Sequence, residues 1–110
     1  MRKVQLAVAG LLTVAAASLQ AQQPVNAAPL YARNCATCHG PKGSPSPTMA
    51  HAIGVPDFSN PATLASLSDS VLVATITNGK GKNMASFKSR LKPEEIAALA
   101  AYIRTLSRHQ

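Results

Sequence analysis

Leu30-Tyr31-Ala32-Arg33-Asn34-Cys35-Ala36-Thr37-Cys38-His39-Gly40 is the stretch on which the rest of the chain turns. Cys35 and Cys38 stand three apart and His39 follows at once, giving C-x-x-C-H, the pattern of c-type haem attachment. The chemistry accounts for the spacing. Each thiol adds to one haem vinyl group, two intervening residues span the porphyrin edge, and the next residue offers its imidazole to the iron from one face. The tethers raise the local concentration of His39 at the metal, so ligation holds even in a small domain. Other uses of two cysteines fit less well. A thioredoxin-like dithiol needs a βαβ unit, and none is readable. A structural zinc site needs a second ligand pair, and the chain holds only 2 cysteines. A disulfide closing so short a loop would add little stability.

Composition agrees with a cofactor-filled domain. At 110 residues the chain has room for one domain, and 46% apolar with 14% charged residues excludes a disordered tail. A large enzyme with an elaborate pocket is excluded by size, and no Ser/His/Asp or paired-carboxylate arrangement is visible. Trp is absent, and the aromatics are Tyr31, Phe58, Phe87 and Tyr102. Small domains already bury surface poorly, so something besides side chains must fill the middle.

Met1-Arg2-Lys3 is a basic start, followed by a charge-free apolar run from Leu6 to Leu19 and then small residues. This order is that of a secretory signal peptide. The competing reading, an uncleaved anchor, needs about 20 apolar residues, more than this run supplies. Residues 1–21 are therefore expected to be a signal peptide, with cleavage after Ala27 as the alternative. Residues 22–29 form a short leader and residues 30–110 the domain. Export implies an oxidising compartment, read here as a bacterial periplasm. Membrane anchoring is not expected.

Leu30 to Cys38 reads as a short helix with Pro29 suited to its first turn. Gly40 to Pro56 carries three Gly and four Pro and reads as loop. Asn60-Pro61 caps a helical turn running to Leu67. Ser68-Asp69 caps a further helix, Ser70 to about Thr77, which Gly79 stops. Val71, Val73, Thr75, Ile76 and Thr77 are β-branched and would suit a strand, but the caps on both sides favour helix. Gly79 to Lys92 is a basic loop. Pro93-Glu94-Glu95 opens the last helix with acid at its positive end, and Arg104 and Arg108 sit near its negative end. Ile96, Leu99, Ile103 and Leu106 make one apolar stripe. No internal repeat is visible.

From Leu30 to Leu106 the chain resembles the class I cytochrome c family. Leu30-Tyr31 ahead of Asn34-Cys35-Ala36-Thr37-Cys38-His39-Gly40 is similar to that family's first helix and haem site. Ile76-Thr77-Asn78-Gly79 followed by Met84-Ala85-Ser86-Phe87 is similar to its axial-methionine loop, and Leu91-Lys92-Pro93-Glu94-Glu95-Ile96 through Tyr102-Ile103 to its last helix. The resemblance implies an all-α fold: a small cytochrome c fold in which N- and C-terminal helices cross and short middle helices and loops wrap one covalently bound haem c with its iron. It implies that Tyr31 meets Leu99 or Tyr102. It also implies that the second nitrogen of His39 meets a carbonyl of a Pro-containing loop, with Pro45 and Pro47 as candidates. There are two departures. Ala85 replaces the usual proline after the methionine, and Lys92 stands where a Ser, Thr or Asp cap is expected.

The sixth ligand can be weighed by reach. Met49 and His51 lie ten and twelve residues past His39 in the Pro-rich stretch, and His109 is next to the chain end. Met84 lies 45 residues past His39 behind Gly79 and Gly81, which leaves room to cross to the far face of a haem. The expected haem-binding residues are thus Cys35 and Cys38 as thioethers, with His39 and Met84 as axial iron ligands. Met/His ligation is an electron-transfer arrangement with a raised potential.

Lys80, Lys82, Lys88, Arg90 and Lys92 put five bases in thirteen residues with no acid. They suit a docking face for an acidic redox partner; the compartment argues against nucleic acid. The expected function is that of a periplasmic monohaem electron carrier between redox partner proteins, not an enzyme, and either a monomer or a subunit of a complex. A haem ligand-binder or sensor with a labile Met84 is the alternative from another class. A haem subunit of a larger oxidoreductase is chemically the same carrier held in place.

Overall fold

The computed structural model describes residues 2–15 and 24–108. The cleavage position after Ala21 and His109 lie outside the described residues. Residues 2–15 are exposed and carry no helix or strand.

Helix α1 spans Ala27–Asn34, three residues earlier than the sequence suggested, with Pro29 in its first turn. It buries Ala27, Leu30 and Tyr31, which share one face at i, i+3 and i+4. Cys35 breaks the helix, its φ of −122° lying off the helical range, and α2 restarts at Ala36–His39. The expected single helix to Cys38 is therefore two pieces, and the haem motif straddles the break.

The stretch read as loop from Gly40 to Pro56 contains helix α3, Pro47–Ile53. The residues that suggested loop are its caps. Ser46 accepts a hydrogen bond from the Met49 N–H at 3.2 Å, Pro47 takes the first helical position, and Gly54 closes the helix in the left-handed region at φ 67°. Helix α3 buries no residue.

Helix α4 is Pro61–Ala65 behind the Asn60 cap, and α5 is Asp69–Asn78 behind Ser68, whose side chain accepts from the Val71 N–H. The β-branched run is thus helical, its caps outweighing a weak side-chain preference. Helix α6, Pro93–Thr105, runs into a 3₁₀ turn at Leu106–Arg108. Lys92 needs no hydroxyl cap, because its own N–H donates to Glu95 Oε1 at 2.9 Å.

The apolar stripe of α6 is the centre of the core. Ile96, Leu99, Ile103 and Leu106 are all buried, and Leu99 has no exposed surface. Helix α1 packs on α6, with the Tyr31 and Tyr102 rings 5.3 Å apart and tilted by 53°. Helix α5 also packs on α6, through Leu72 and Ile76. Arg104 ties the middle helices to α6. Its Nε donates to Asp69 Oδ1 at 2.7 Å, Nη1 to the Leu64 carbonyl at 2.8 Å, and Nη2 to the Leu67 carbonyl.

Candidate functional site

The packing leaves a partly open cavity of about 450 Å³. Cys35, Cys38 and His39 line it from α2 and its cap, Leu72 and Ile76 from α5, Leu99 and Ile103 from α6, and Met84 from the loop after α5. The Pro-rich stretch contributes Ile53 to Pro56 and Phe58, but not Met49, His51, Pro45 or Pro47. The fold thus gathers all four expected haem residues on one cavity and leaves the two rival ligands in the described part of the chain off it.

The one-turn length of α2 puts Cys35 and Cys38 a turn apart on the same side. Both thiols are free and only partly exposed. Burial pushes the Cys35 thiol up to about 11, so it stays protonated while uncombined. Burial lowers the His39 pKa, which favours the neutral imidazole, the form that binds a metal. His39 Nδ1 is buried and meets no hydrogen-bond acceptor among the described residues, so the expected contact to a Pro45 or Pro47 carbonyl is not made. One flat face of the imidazole is covered instead by Phe58, with ring centroids 4.8 Å apart and planes within 10°.

The Met84 loop is fastened without a proline at position 85. Lys80 and Met84 exchange backbone hydrogen bonds: the Lys80 N–H donates to the Met84 carbonyl at 2.9 Å, and the Met84 N–H to the Lys80 carbonyl at 3.2 Å. Past the methionine, Ser86 Oγ donates to the Thr77 carbonyl at 2.6 Å. The Phe87 and Lys88 N–H groups then donate to the last turn of α5, at Ile76 and Thr77. Gly79, at φ 76°, permits this closure, since a Cβ there would lie 2.6 Å from the Met84 carbonyl oxygen. Lys80, Lys82 and Arg90 reach the cavity wall, and Arg90 lies 4.2 Å over the Phe87 ring. Lys88 and Lys92 are exposed away from it.

Residues 22–103 match the family model described as cytochrome c oxidase, cbb3-type, subunit III. The chain belongs to this family of c-type cytochrome domains. The cytochrome is 33% identical over 79 residues to the cbb3-type cytochrome c oxidase subunit FixP of Bradyrhizobium sp. (strain ORS 278), a match covering 72% of this chain but 26% of FixP. It is 39% identical over 82 residues to cytochrome c6 of Anabaena variabilis, covering 72% of this chain and 86% of that one. The solved structure of the KustC0563 c-type cytochrome superposes with a TM-score of 0.68 at 32% identity, covering 74% of this chain and 98% of that one. The chain thus spans about a quarter of the length of the FixP relatives it matches.

Membership makes covalently bound haem c, with its iron, the cofactor of this cytochrome. The residues present fit the group: two uncombined thiols, a neutral-leaning imidazole and a thioether line one largely apolar cavity. Sequence reading did not foresee Phe58 against His39, α3, or the Arg104 tie. A buried aromatic in a Gly/Pro-rich stretch was the available signal for the first.

Proposed function

We propose that this cytochrome carries single electrons, with Cys35 and Cys38 forming the two thioethers and His39 and Met84 serving as the axial iron ligands. When bound, the haem iron supplies one-electron redox chemistry at a potential set by its ligands and surroundings. The observation that carries this reading is the shared cavity: Cys35, Cys38, His39 and Met84 line the same space. The chain's own work is structural. The α2 residues tether, the α5 and α6 side chains keep the cavity apolar, and the tied 79–92 loop holds Met84 against exchange with outside ligands. The loop's hydrogen bonds to α5 stand in for the missing proline, which argues against the sensor reading with a labile Met84.

Lys80, Lys82 and Arg90 at the cavity give the docking face a positive field suited to an acidic redox partner. Two settings fit the carrier. The likeness to cytochrome c6, at nearly full length, favours a free carrier. The likeness to FixP favours a haem-bearing module of a larger oxidase assembly. Among the described residues no helix is long and apolar enough to cross a membrane. The basic, apolar and small-residue order of residues 1–21 supports export to a periplasm. Ala27 is buried as the first residue of α1, which favours cleavage after Ala21 over cleavage after Ala27.

The test is spectroscopic and kinetic. The oxidised protein is expected to show a Met–iron charge-transfer band, and the reduced protein to leave carbon monoxide unbound at neutral pH. Transfer to an acidic partner should slow as salt rises, since exposed charges are screened within about 10 Å at about 0.1 M. Ready carbon monoxide binding would instead establish the ligand-binder reading.

A further inference from the structure

We propose that Asn78 is a latent modification site, an asparagine with the chemistry to convert to aspartate and isoaspartate that the fold holds unreactive. Asparagine followed by glycine deamidates readily, because glycine has no side chain to shield its amide nitrogen. In the reaction the Gly79 nitrogen attacks the Asn78 side-chain carbonyl carbon. The proton on that nitrogen leaves with the side-chain NH2 as ammonia, and a cyclic imide closes. Water then opens the imide at either carbonyl, giving aspartate or isoaspartate. Water is the sole co-reactant, and no electron is transferred. Asn26, Asn34, Asn60 and Asn83 precede Ala, Cys, Pro and Met, so Asn78 alone has the reactive neighbour. The residue is exposed, so water reaches it freely.

Local geometry accounts both for the presence of this pair and for its quiescence. Position 79 must be glycine, since a Cβ there would lie 2.6 Å from the Met84 carbonyl oxygen and 2.8 Å from the Ser86 nitrogen. The closure that seats the Met84 loop therefore brings the labile pair with it. Asn78 is the last residue of α5, and the Gly79 N–H that must attack is instead donated to the Thr75 carbonyl at 2.8 Å, closing the helix. On the far side the Lys80 N–H is held by the Met84 carbonyl at 2.9 Å, and the Phe87 and Lys88 N–H groups by Ile76 and Thr77. The nitrogen reaches the Asn78 side chain only when this turn opens, so the opened fraction sets the rate. Conversion has consequences beside the cavity. It places a carboxylate next to Lys80 and Lys82, in a stretch otherwise free of acid up to Lys92. Isoaspartate also adds a methylene to the main chain between α5 and the Met84 loop, which loosens the seat of the methionine. This last consequence rests on the reading of Met84 as an iron ligand.

The experiment ages the holoprotein at mildly alkaline pH, with and without guanidinium chloride, and maps its peptides by mass. In denaturant, aspartate and isoaspartate are expected to accumulate at position 78 ahead of every other asparagine. Without denaturant the same conversion is expected to be slower by at least about tenfold. Equal rates in the two conditions, or another asparagine converting first in the unfolded chain, would overturn the proposal. The isoaspartate form is then separated from the aspartate form by chromatography and refolded. Its Met–iron band is expected to be weakened, whereas Asn78→Asp, which changes the charge but not the main chain, should keep it. A full band in the isoaspartate form, or equal loss in Asn78→Asp, would overturn the claimed effect on the Met84 loop. Failure of the underlying ligand reading is distinguishable, because the fresh native protein would then lack the band from the outset.

Discussion

The helices that pack on α6 and the segments that face the cavity are held by different means. Helices α1, α5 and α6 bury their own apolar faces against one another, and Tyr31 and Leu99 are at most 1% exposed. Helices α2 and α3 bury no residue at all, and between Gly79 and Lys92 only Phe87 is buried. The first group is a small protein core. The second is a set of capped turns and tied loops whose apolar side is turned to the cavity. Side chains fill the interior of the first group, whereas the second group leaves a space for the haem to fill, and the small core of the first depends on that second half being completed.

The largest expected effect breaks this division. Cys35→Ala/Cys38→Ala removes both tethers, and with four aromatics in the whole chain the remaining core is too small to hold the fold. Circular dichroism of that variant should show loss of most helix and no cooperative thermal transition. A cooperative transition would mean that the α1/α5/α6 group stands alone.

A change of ligand within the completed cavity should be gentler. Met84→His is expected to keep the haem and the helices, lower the midpoint potential and abolish the Met–iron band. Met49→Leu, on α3 and off the cavity, should alter neither property. The reverse outcome, in potentiometry and optical spectra, would move the sixth ligand to α3.

Smaller effects sharpen the account of the packed half. Arg104→Ala deletes three hydrogen bonds from α6, to Leu64 on α4, to Leu67 in the turn after it and to Asp69 on α5, from a side chain 28% exposed. It should cost about 2–3 kcal/mol in denaturant unfolding of the holoprotein, with the potential unchanged. Tyr31→Phe loses the buried bond from the Tyr31 hydroxyl to the Gly40 carbonyl at 2.8 Å, a loss of roughly 1–2 kcal/mol. Burial, then the neighbouring Cys35 and Tyr102, holds the Tyr31 hydroxyl well above the ordinary tyrosine value. A group raised in the folded state contributes stability that is full below its unfolded pKa of about 10 and lost as pH climbs beyond it. Alkaline unfolding curves should therefore fall above about pH 10 in the native protein and fall less in Tyr31→Phe.

The two halves also differed in how far they could be read from sequence. The stripe Ile96, Leu99, Ile103 and Leu106, the Ser68 and Asn60 caps, and the Tyr31–Tyr102 contact were legible because periodicity and capping are local. The four residues that meet on the cavity were legible from the C-x-x-C-H spacing and the reach of Met84. Helix α3 was not, because Ser46-Pro47 and Gly54 serve equally as loop residues and as caps. The contact of Phe58 with His39, nineteen residues apart, and the three acceptors of Arg104 depend on tertiary placement that no local pattern encodes. Nor does any local pattern place Pro45 or Pro47, which lie off the cavity that His39 lines.

The central claim, that a covalently held haem completes the cavity half, is tested most directly by intact mass. The holoprotein would be extracted with acidified acetone and weighed under denaturing conditions. The expected result is a polypeptide of residues 22–110 that retains one haem. A mass equal to the bare polypeptide, or one two hydrogens lighter with Cys35 and Cys38 joined to each other, would contradict it.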